Sequence, residues 1–368
     1  MSPRIVVLGA GYSGLVAAKL AAKRTGAAVT LVNASDRFVE RVRLHQLATG
    51  QRLRDAPLAE LLDGTGVTLV VDRVTAIDAV RKVVRLGARE VPYDLLVYAL
   101  GSRSDVESVP GVAEHAFTLA EAGEALRLKQ NLTNSGVVAV VGGGLTGIEA
   151  AAELAESRPD LTVKLVTGGA FGGALSNRGR RHLHRTFREL GIEVHDGVRV
   201  AKVLDNGVAL EDGGHIGADA VVWTTGFRVS ALAREAGFAV DDDGRMIVDE
   251  TSRSVSHPDV HGIGDAAATR KADGQLLRMA CATGMPAAGQ AVCAMADRLA
   301  GREPKPLRFR YFNQCISLGR RNALIQFVRA DDSPVEAVLT GRLAALYKEA
   351  IVRGAFQAQR HPVLATLT

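Results

Sequence analysis

Cysteine is scarce in this 368-residue chain: Cys281, Cys293 and Cys315 are the only three, none forms a CxxC pair and none precedes position 281. An odd number of well-separated thiols excludes a disulfide framework and a zinc knuckle, so no metal site is expected, and a reducing cytoplasm is. Aromatic residues make up only 4%, and no Lys/Arg block carries interleaved aromatics, which argues against nucleic-acid binding. The net charge of +5 is small for the length and the signs are mixed. It leaves open only a weak attraction to acidic membrane surfaces. Long uninterrupted apolar runs are also missing. Gly136–Ala155 comes nearest to a membrane span, but its glycine cluster and Glu149 read as a buried strand, turn and helix. Met1–Ala22 has the early arginine and apolar stretch of a signal peptide. Cleavage there would remove the first of the two motifs on which the reading depends.

Glycine, by contrast, is abundant, and its placement is informative. Gly9-Ala10-Gly11-Tyr12-Ser13-Gly14 follows the apolar run Ile5–Leu8, and Gly142-Gly143-Gly144-Leu145-Thr146-Gly147 follows Val137–Val141. Each copy of this GxGxxG pattern leads into an alanine-rich helical segment. One copy is a weak signal, but two in the same strand–turn–helix setting point to two dinucleotide sites. Gly9 and Gly142 make the tight turn, and Gly11 and Gly144 admit a pyrophosphate to the backbone. Gly14 and Gly147 let the helix pack closely, with its N-terminal amides aimed at the phosphates. Two dinucleotides in one chain imply electron transfer, most economically from a nicotinamide to a flavin.

The first unit runs from Arg4 through a helix at Leu15–Lys23 to a strand at Ala28–Asn33. A β-meander of Val67–Val71, Val74–Ile77 and Lys82–Leu86 ends in the strand Leu95–Leu100 and Gly101. The second unit repeats the plan, with strand Val137–Val141, helix Leu145–Glu156, strand Thr162–Thr167, helix Arg181–Leu190 and a meander closed by Thr225-Gly226. Val260–Asp265 reads as a strand ending in Gly-Asp. Ala287–Leu299 reads as a helix, Lys305–Phe327 as one or two strands and Thr340–Phe356 as a last helix. The expected class is α/β, with two Rossmann-like dinucleotide-binding domains, each carrying a meander, and a small C-terminal α+β segment. The expected division is 1–112, 113–238, 239–302 and 303–368.

This layout resembles the pyridine nucleotide–disulfide oxidoreductase superfamily over nearly the whole chain. The resemblance implies FAD in the first unit, with 239–302 returning to it, and NAD or NADP in the second. Gly264-Asp265 matches the late Gly-Asp motif whose aspartate bonds the ribityl–phosphate part of FAD. Ser13, Val74, Gly101, Thr146 and Gly226 fall at positions that the resemblance assigns to the two cofactors. Disulfide reductases of this superfamily keep a cysteine pair on the flavin face, which this chain lacks. Leu44-His45-Gln46-Leu47-Ala48-Thr49-Gly50 is instead similar to the Leu-Tyr-Gln-Val-Ala-Thr-Gly segment of type II NADH:quinone oxidoreductases. Ser317–Arg321 and Thr340–Ala344 extend that match toward the family's C-terminal membrane-docking helix.

Three departures matter. The strands after the glycine motifs end in Asn33 and Thr167, where an acid normally bonds a ribose about 20 residues beyond the glycines. Asn33 can still bond a hydroxyl. Thr167 removes the carboxylate that would repel a 2′-phosphate, and Arg178, Arg180 and Arg181 follow. Those arginines read equally as NADPH contacts or as a solvated helix face. Second, Ala282–Ala288 lacks the glutamines of the quinone-site segment. Third, Lys348, Glu349 and Arg353 lie among Leu343, Leu346, Tyr347, Ala350 and Ile351, an amphipathic pattern that suits packing on the protein's own surface or, as the minority reading, peripheral contact with the inner face of a membrane.

Two titratable residues are the catalytic candidates. The resemblance puts Glu149, two residues after Gly147, close to flavin and nicotinamide. An acid near a helix N-terminus is also favourable on dipole grounds alone. His45 lies in the segment expected beneath the flavin and could protonate a reduced acceptor near neutral pH, or serve as a hydrogen-bonded structural residue. The sequence therefore reads as a FAD-dependent NAD(P)H oxidoreductase that reduces a quinone-like small acceptor without a protein thiol. Two alternatives remain at this point: a flavin enzyme of specialised metabolism acting on an aromatic or quinonoid intermediate, and a low-turnover redox-sensing interaction protein. Oligomeric state is not legible.

Overall fold

The computed structural model describes residues 2–87, 89–132, 136–271 and 273–363; the last five residues of the C-terminal segment lie outside it. Two five-stranded parallel sheets organise the chain. In the first, Arg4–Leu8 lies between Ala28–Asn33 and Leu95–Tyr98, with Thr68–Val71 and Val260–Gly262 at the edges. In the second, Gly136–Val141 lies between Leu161–Thr167 and Ala220–Trp223, with Glu193–Asp196 and Ala116–Thr118 outside. Each glycine motif thus follows the central strand. Those strands are apolar on both faces because helices or antiparallel sheet cover both: Ile5, Val7, Leu8, Ala139 and Val140 are fully buried.

The helices after the motifs, Tyr12–Thr25 and Leu145–Ser157, start at Gly11 and Gly144. Three-stranded antiparallel sheets follow in both halves, Val74–Asp78, Val83–Leu86 and Arg89–Pro92 in one, Val200–Leu204, Gly207–Leu210 and His215–Gly217 in the other. Thr68–Val71, expected in the first meander, belongs instead to the parallel sheet, where its backbone pairs with Thr30–Asn33. Ser102–Ser104 and Phe227–Val229, the segments leaving the two closing strands, pair antiparallel and tie the halves together.

The helix predicted at Ala287–Leu299 begins earlier, at Cys281, and carries Pro286 in its second turn. It packs along Tyr12–Thr25, with Ala288, Ala291, Val292 and Met295 in the same core as Leu15, Ala18 and Leu20. The C-terminal segment is a three-stranded antiparallel sheet, Asn313–Ser317, Ala323–Val328 and Pro334–Thr340, followed by the helix Gly341–Arg360. Lys19, buried in the first helix, donates to the Gln359 and Arg360 carbonyls at 2.7 and 2.9 Å and so caps that last helix. No helix among the described residues is long and apolar enough to cross a membrane.

Candidate functional site

The two glycine motifs form matching cradles. Gly9 and Gly142 have φ of +95° and +124°, and a side chain at Gly14 or Gly147 would overlap the carbonyl oxygen of Gly9 or Gly142. The third glycine is thus required for the helix to sit against the turn. At Gly11 and Gly144 the opposite holds: a Cβ at either would meet no protein atom within 4 Å. Both residues are extended N-caps without a side-chain cap, so the first-turn amides face space that protein does not fill. That is the room a pyrophosphate needs.

Further called residues gather at the first cradle. Asn33 ends its strand as expected, and its Oδ1 accepts from the Ala10 N–H at 2.9 Å while its Nδ2 donates to the Ser35 carbonyl. The Asp72 N–H donates to the Asn33 carbonyl at 2.9 Å, which brings the crossover into Val74 alongside. Ser13 stands where the first helix meets Gly264 and Gly284; a Cβ at either glycine would crowd its Oγ. Asp265 accepts from Ser102 Oγ at 2.7 Å, just beyond Gly101, and lies 3.9 Å from Arg41. The first cradle, the Gly-Asp turn and the start of the Cys281–Leu299 helix therefore converge.

At the second cradle, Thr146 occupies the first helical turn and Gly226 follows the closing strand, with φ of +71°. Thr167 is buried with its hydroxyl against Gly143. Arg180 and Arg181 lie exposed on the helix Asn177–Glu189, as the solvated-face alternative has them. Arg180 bonds the Asn177 side chain at 3.0 Å, and Arg181 faces Glu336, which also accepts from the Asn177 and Arg178 amides. The basic side chain at the strand end is Arg199, whose Cγ lies 3.2 Å from where a Gly168 Cβ would stand. Arg199 is exposed, and among the described residues no carboxylate is paired with it.

Glu149 and His45 do meet, in a buried cluster between the halves. The Lys348 ammonium lies 2.8 Å from Glu149, and the Ser317 N–H donates to the same carboxylate oxygen at 2.9 Å. Burial works against ionising Glu149, but Lys348 and the Ser317 amide outweigh it and hold the carboxyl below its ordinary value. The acid at this position thus has a structural partner that the N-terminal dipole did not suggest. Lys348, in turn, is desolvated yet kept charged by Glu149. It is not part of a solvated face.

His45 sits in the short helix Leu44–Ala48, which packs Leu44 and Ala48 into the core of the second sheet. Burial, reinforced by Lys348, Arg320 and Arg43, pulls its pKa down to about 4 despite Glu149. The expectation of an imidazole titrating near neutral pH is corrected: His45 is neutral there. Its Nε2 is buried without a hydrogen-bond partner among the described residues, a cost of about 1–3 kcal/mol unless a bound group meets it.

Cys281 and Cys315 lie within electrostatic reach of Lys348 and of each other, which their sequence positions did not suggest. Burial raises both, Cys315 to about 11. They are protonated thiols, the opposite of a reactive thiolate.

The last helix buries Ala344, Val352, Ala355 and Phe356, but leaves Leu343, Leu346 and Ile351 exposed, at 67%, 68% and 46%. It therefore packs on its own protein along one face and presents apolar residues on the other.

Comparison with known proteins agrees with this geometry. The pyridine nucleotide-disulphide oxidoreductase family matches residues 3–295. An NADH dehydrogenase-like protein of Mycobacterium tuberculosis is 32% identical over 347 residues, covering 87% of each chain. The type II NADH:quinone oxidoreductase of Haemophilus influenzae is 26% identical over 390 residues, covering 87% of this chain and 86% of that one. Among solved structures, the sulfide:quinone oxidoreductase of Aquifex aeolicus superposes with a TM-score of 0.84 at 19% identity, over 98% of this chain and 92% of that one.

Proposed function

From its membership of the pyridine nucleotide-disulphide oxidoreductase family, we propose that this chain is a FAD-dependent NAD(P)H dehydrogenase that passes electrons to a quinone. The observation that carries the reading is the pair of open cradles at Gly11 and Gly144, set in one chain with a buried charge cluster between the halves. When bound, the flavin accepts hydride from nicotinamide and supplies the redox chemistry.

Gly9, Gly11, Ser13, Gly14, Asn33, Val74, Gly101, Gly264 and Asp265 would hold FAD. Gly142, Gly144, Thr146, Gly147, Thr167 and Gly226 would hold the nicotinamide dinucleotide, and the division at 112/113, 238/239 and 302/303 accompanies this assignment. Lys348 keeps Glu149 ionised two residues after Gly147, and Ser317 fixes the same oxygen. This pair fixes the carboxylate in place and holds it in its charged, unprotonated form. His45 acts as a neutral donor or acceptor through its free Nε2 and not as an imidazolium.

The finer choice between NADPH and NADH rests on Arg199, which supports 2′-phosphate binding beside Gly168 in place of Arg180 and Arg181. Peripheral attachment to a membrane surface, inside the cytoplasm, rests on Leu343, Leu346 and Ile351.

The test is an acceptor screen on purified holoprotein, with NADH and NADPH in parallel. A soluble naphthoquinone or benzoquinone analogue should raise NAD(P)H oxidation well above the oxygen background. A yellow, FAD-loaded protein that no quinone stimulates would refute the reading and favour the redox-sensing alternative.

A further inference from the structure

Beside the Glu149–Lys348 cluster the surface opens into a cleft of about 420 Å³ that neither cradle uses. Its walls come from distant stretches of chain, and five arginines line it: Arg43, Arg52, Arg54, Arg320 and Arg353. Only two carboxylates, Glu40 and Glu349, face them there, and both are already engaged. Arg43 stands 3.3 Å from Glu40 and 2.9 Å from Glu349, while Arg353 holds Glu349 at 2.7 Å. Arg54 lies over the Phe356 ring at 4.0 Å from its centroid. Among the described residues, Arg52 and Arg320 have no ion-pair partner. Two further acids stand behind the lining near Arg320: Glu153, bonded by Gln51, given a hydrogen bond by Ser157 Oγ at 3.0 Å and within electrostatic reach of Arg320, and Glu156, which accepts from the Arg320 backbone N–H.

We propose that this cleft binds a ligand through a phosphate-type oxyanion, with Arg52 and Arg320 as its principal contacts. The lining excludes the other classes. A cation would meet a surplus of positive charge, and an apolar ligand would find Leu53 as the one aliphatic side chain among arginines, carboxylates and glutamines. The volume is that of a small-ligand pocket, roughly 300–1,000 Å³ being usual. Planar guanidinium forks match phosphate oxygens bidentately. Here five converge from three stretches of chain, Arg43, Arg52 and Arg54 from one and Arg320 and Arg353 from two others. Gln46, Gln51 and Gln357 add neutral donors.

The phosphate could belong to a free diphosphate or to the headgroup of an anionic lipid, since the helix that supplies Arg353 and Gln357 also exposes Leu343 and Leu346. The site does not depend on which acceptor the enzyme reduces.

The test uses FAD-loaded protein saturated with NAD⁺, so that both cradles are filled. Inorganic pyrophosphate is titrated by calorimetry, and co-sedimentation is measured with phosphatidylglycerol and phosphatidylcholine vesicles. The double variant Arg52→Ala/Arg320→Ala should bind at least tenfold more weakly to pyrophosphate or to phosphatidylglycerol vesicles, at unchanged FAD content. Loss confined to pyrophosphate assigns a free diphosphate, and loss confined to the anionic vesicles assigns a headgroup; either supports the site. If the double variant fails to retain FAD, Arg52→Ala alone, at an exposed position, is read in the same way. Wild-type protein that binds neither probe, or variants that bind both as tightly as wild type, would overturn the proposal.

Discussion

Lys348 reaches Glu149 at 2.8 Å across the junction of the C-terminal helix and the second nucleotide helix. The contact joins the helix Gly341–Arg360 to the helix that follows the second glycine turn. It also explains why a carboxylate can be ionised where burial disfavours it. Removing one partner of such a buried pair leaves the other uncompensated, at a cost of about 3–5 kcal/mol.

Lys348→Met should therefore lower the melting temperature sharply. Lys348→Met/Glu149→Gln, which removes both charges, should recover much of the loss. The pH sign follows from the lowered Glu149 pKa. Its stabilisation is present above the unfolded value of about 4.3 and is lost as pH falls through the folded one. Thermal melts of the three proteins at neutral and acid pH check this. A Lys348→Met protein as stable as wild type would show that the pair contributes nothing.

His45 gives a different pH window. Its pKa is about 4 when folded, against about 6.5 unfolded. Between these values the unfolded chain binds a proton that the native state does not. Stability from this source is complete above about pH 6.5 and declines toward 4, by about 3 kcal/mol in all. His45→Gln should flatten that part of the wild-type profile in urea denaturation. Equal slopes in both proteins would mean that His45 titrates normally.

Much of the fold was legible because its signals are local. Strand, glycine turn and helix lie within twenty residues, so both cradles, Asn33 and the Gly264-Asp265 turn fell where the motifs put them. Thr68–Val71 was misassigned because a short apolar run reads the same in a parallel edge strand and in a meander. Pro334–Thr340 was missed because Pro and Glu336 weaken a strand pattern, and the start of the Cys281 helix because Gly284 and Pro286 imitate a break. The Lys348 partner of Glu149, the position of Arg199 and the clustering of Cys281 with Cys315 depend on contacts between segments far apart in the chain. No spacing rule carries that information. A basic residue soon after the strand end drew attention to Arg180 and Arg181, although the residue that folds back onto Gly168 comes some way later.

The thiols should be chemically quiet. Burial raises Cys315 to about 11 and keeps Cys281 protonated. At about pH 8, near the unperturbed thiol value, native protein should alkylate slowly at both positions. Cys281→Ser/Cys315→Ser should keep quinone-stimulated turnover. Mass spectrometry of iodoacetamide-treated protein and steady-state assays provide the measurements. Abolished turnover with FAD retained would restore a thiol to the mechanism.

Gly11 and Gly14 should fail in different ways. At Gly11 a side chain meets no protein atom and projects into the cradle. Gly11→Val should therefore fold and be isolated colourless. At Gly14 a Cβ overlaps the Gly9 carbonyl, so Gly14→Val should lower stability whether or not FAD is present. Far-UV circular dichroism with FAD content separates the two. A yellow Gly11→Val protein would put the first cradle's ligand elsewhere.

On the proposed reading, Arg199 is the residue expected to set the preference between NADPH and NADH. With Thr167 turned against Gly143, its own strand ends without an acid; the Asp196 carboxylate on the neighbouring strand accepts from the Phe171 N–H at 3.2 Å, and Arg199 lies beside Gly168, placed to pair with a 2′-phosphate. A charge-assisted contact of this kind is worth about 1.5–3 kcal/mol, roughly a 10- to 100-fold effect. Arg199→Ala should lower kcat/KM for NADPH by that factor and leave NADH nearly unchanged. Arg180→Ala and Arg181→Ala, whose side chains are turned toward Asn177 and Glu336, should alter neither. Stopped-flow flavin reduction with each nucleotide measures all three variants. If Arg199→Ala keeps the wild-type ratio while Arg180→Ala or Arg181→Ala shifts it, the loop after Thr167 must rearrange on binding and bring that helix to the phosphate.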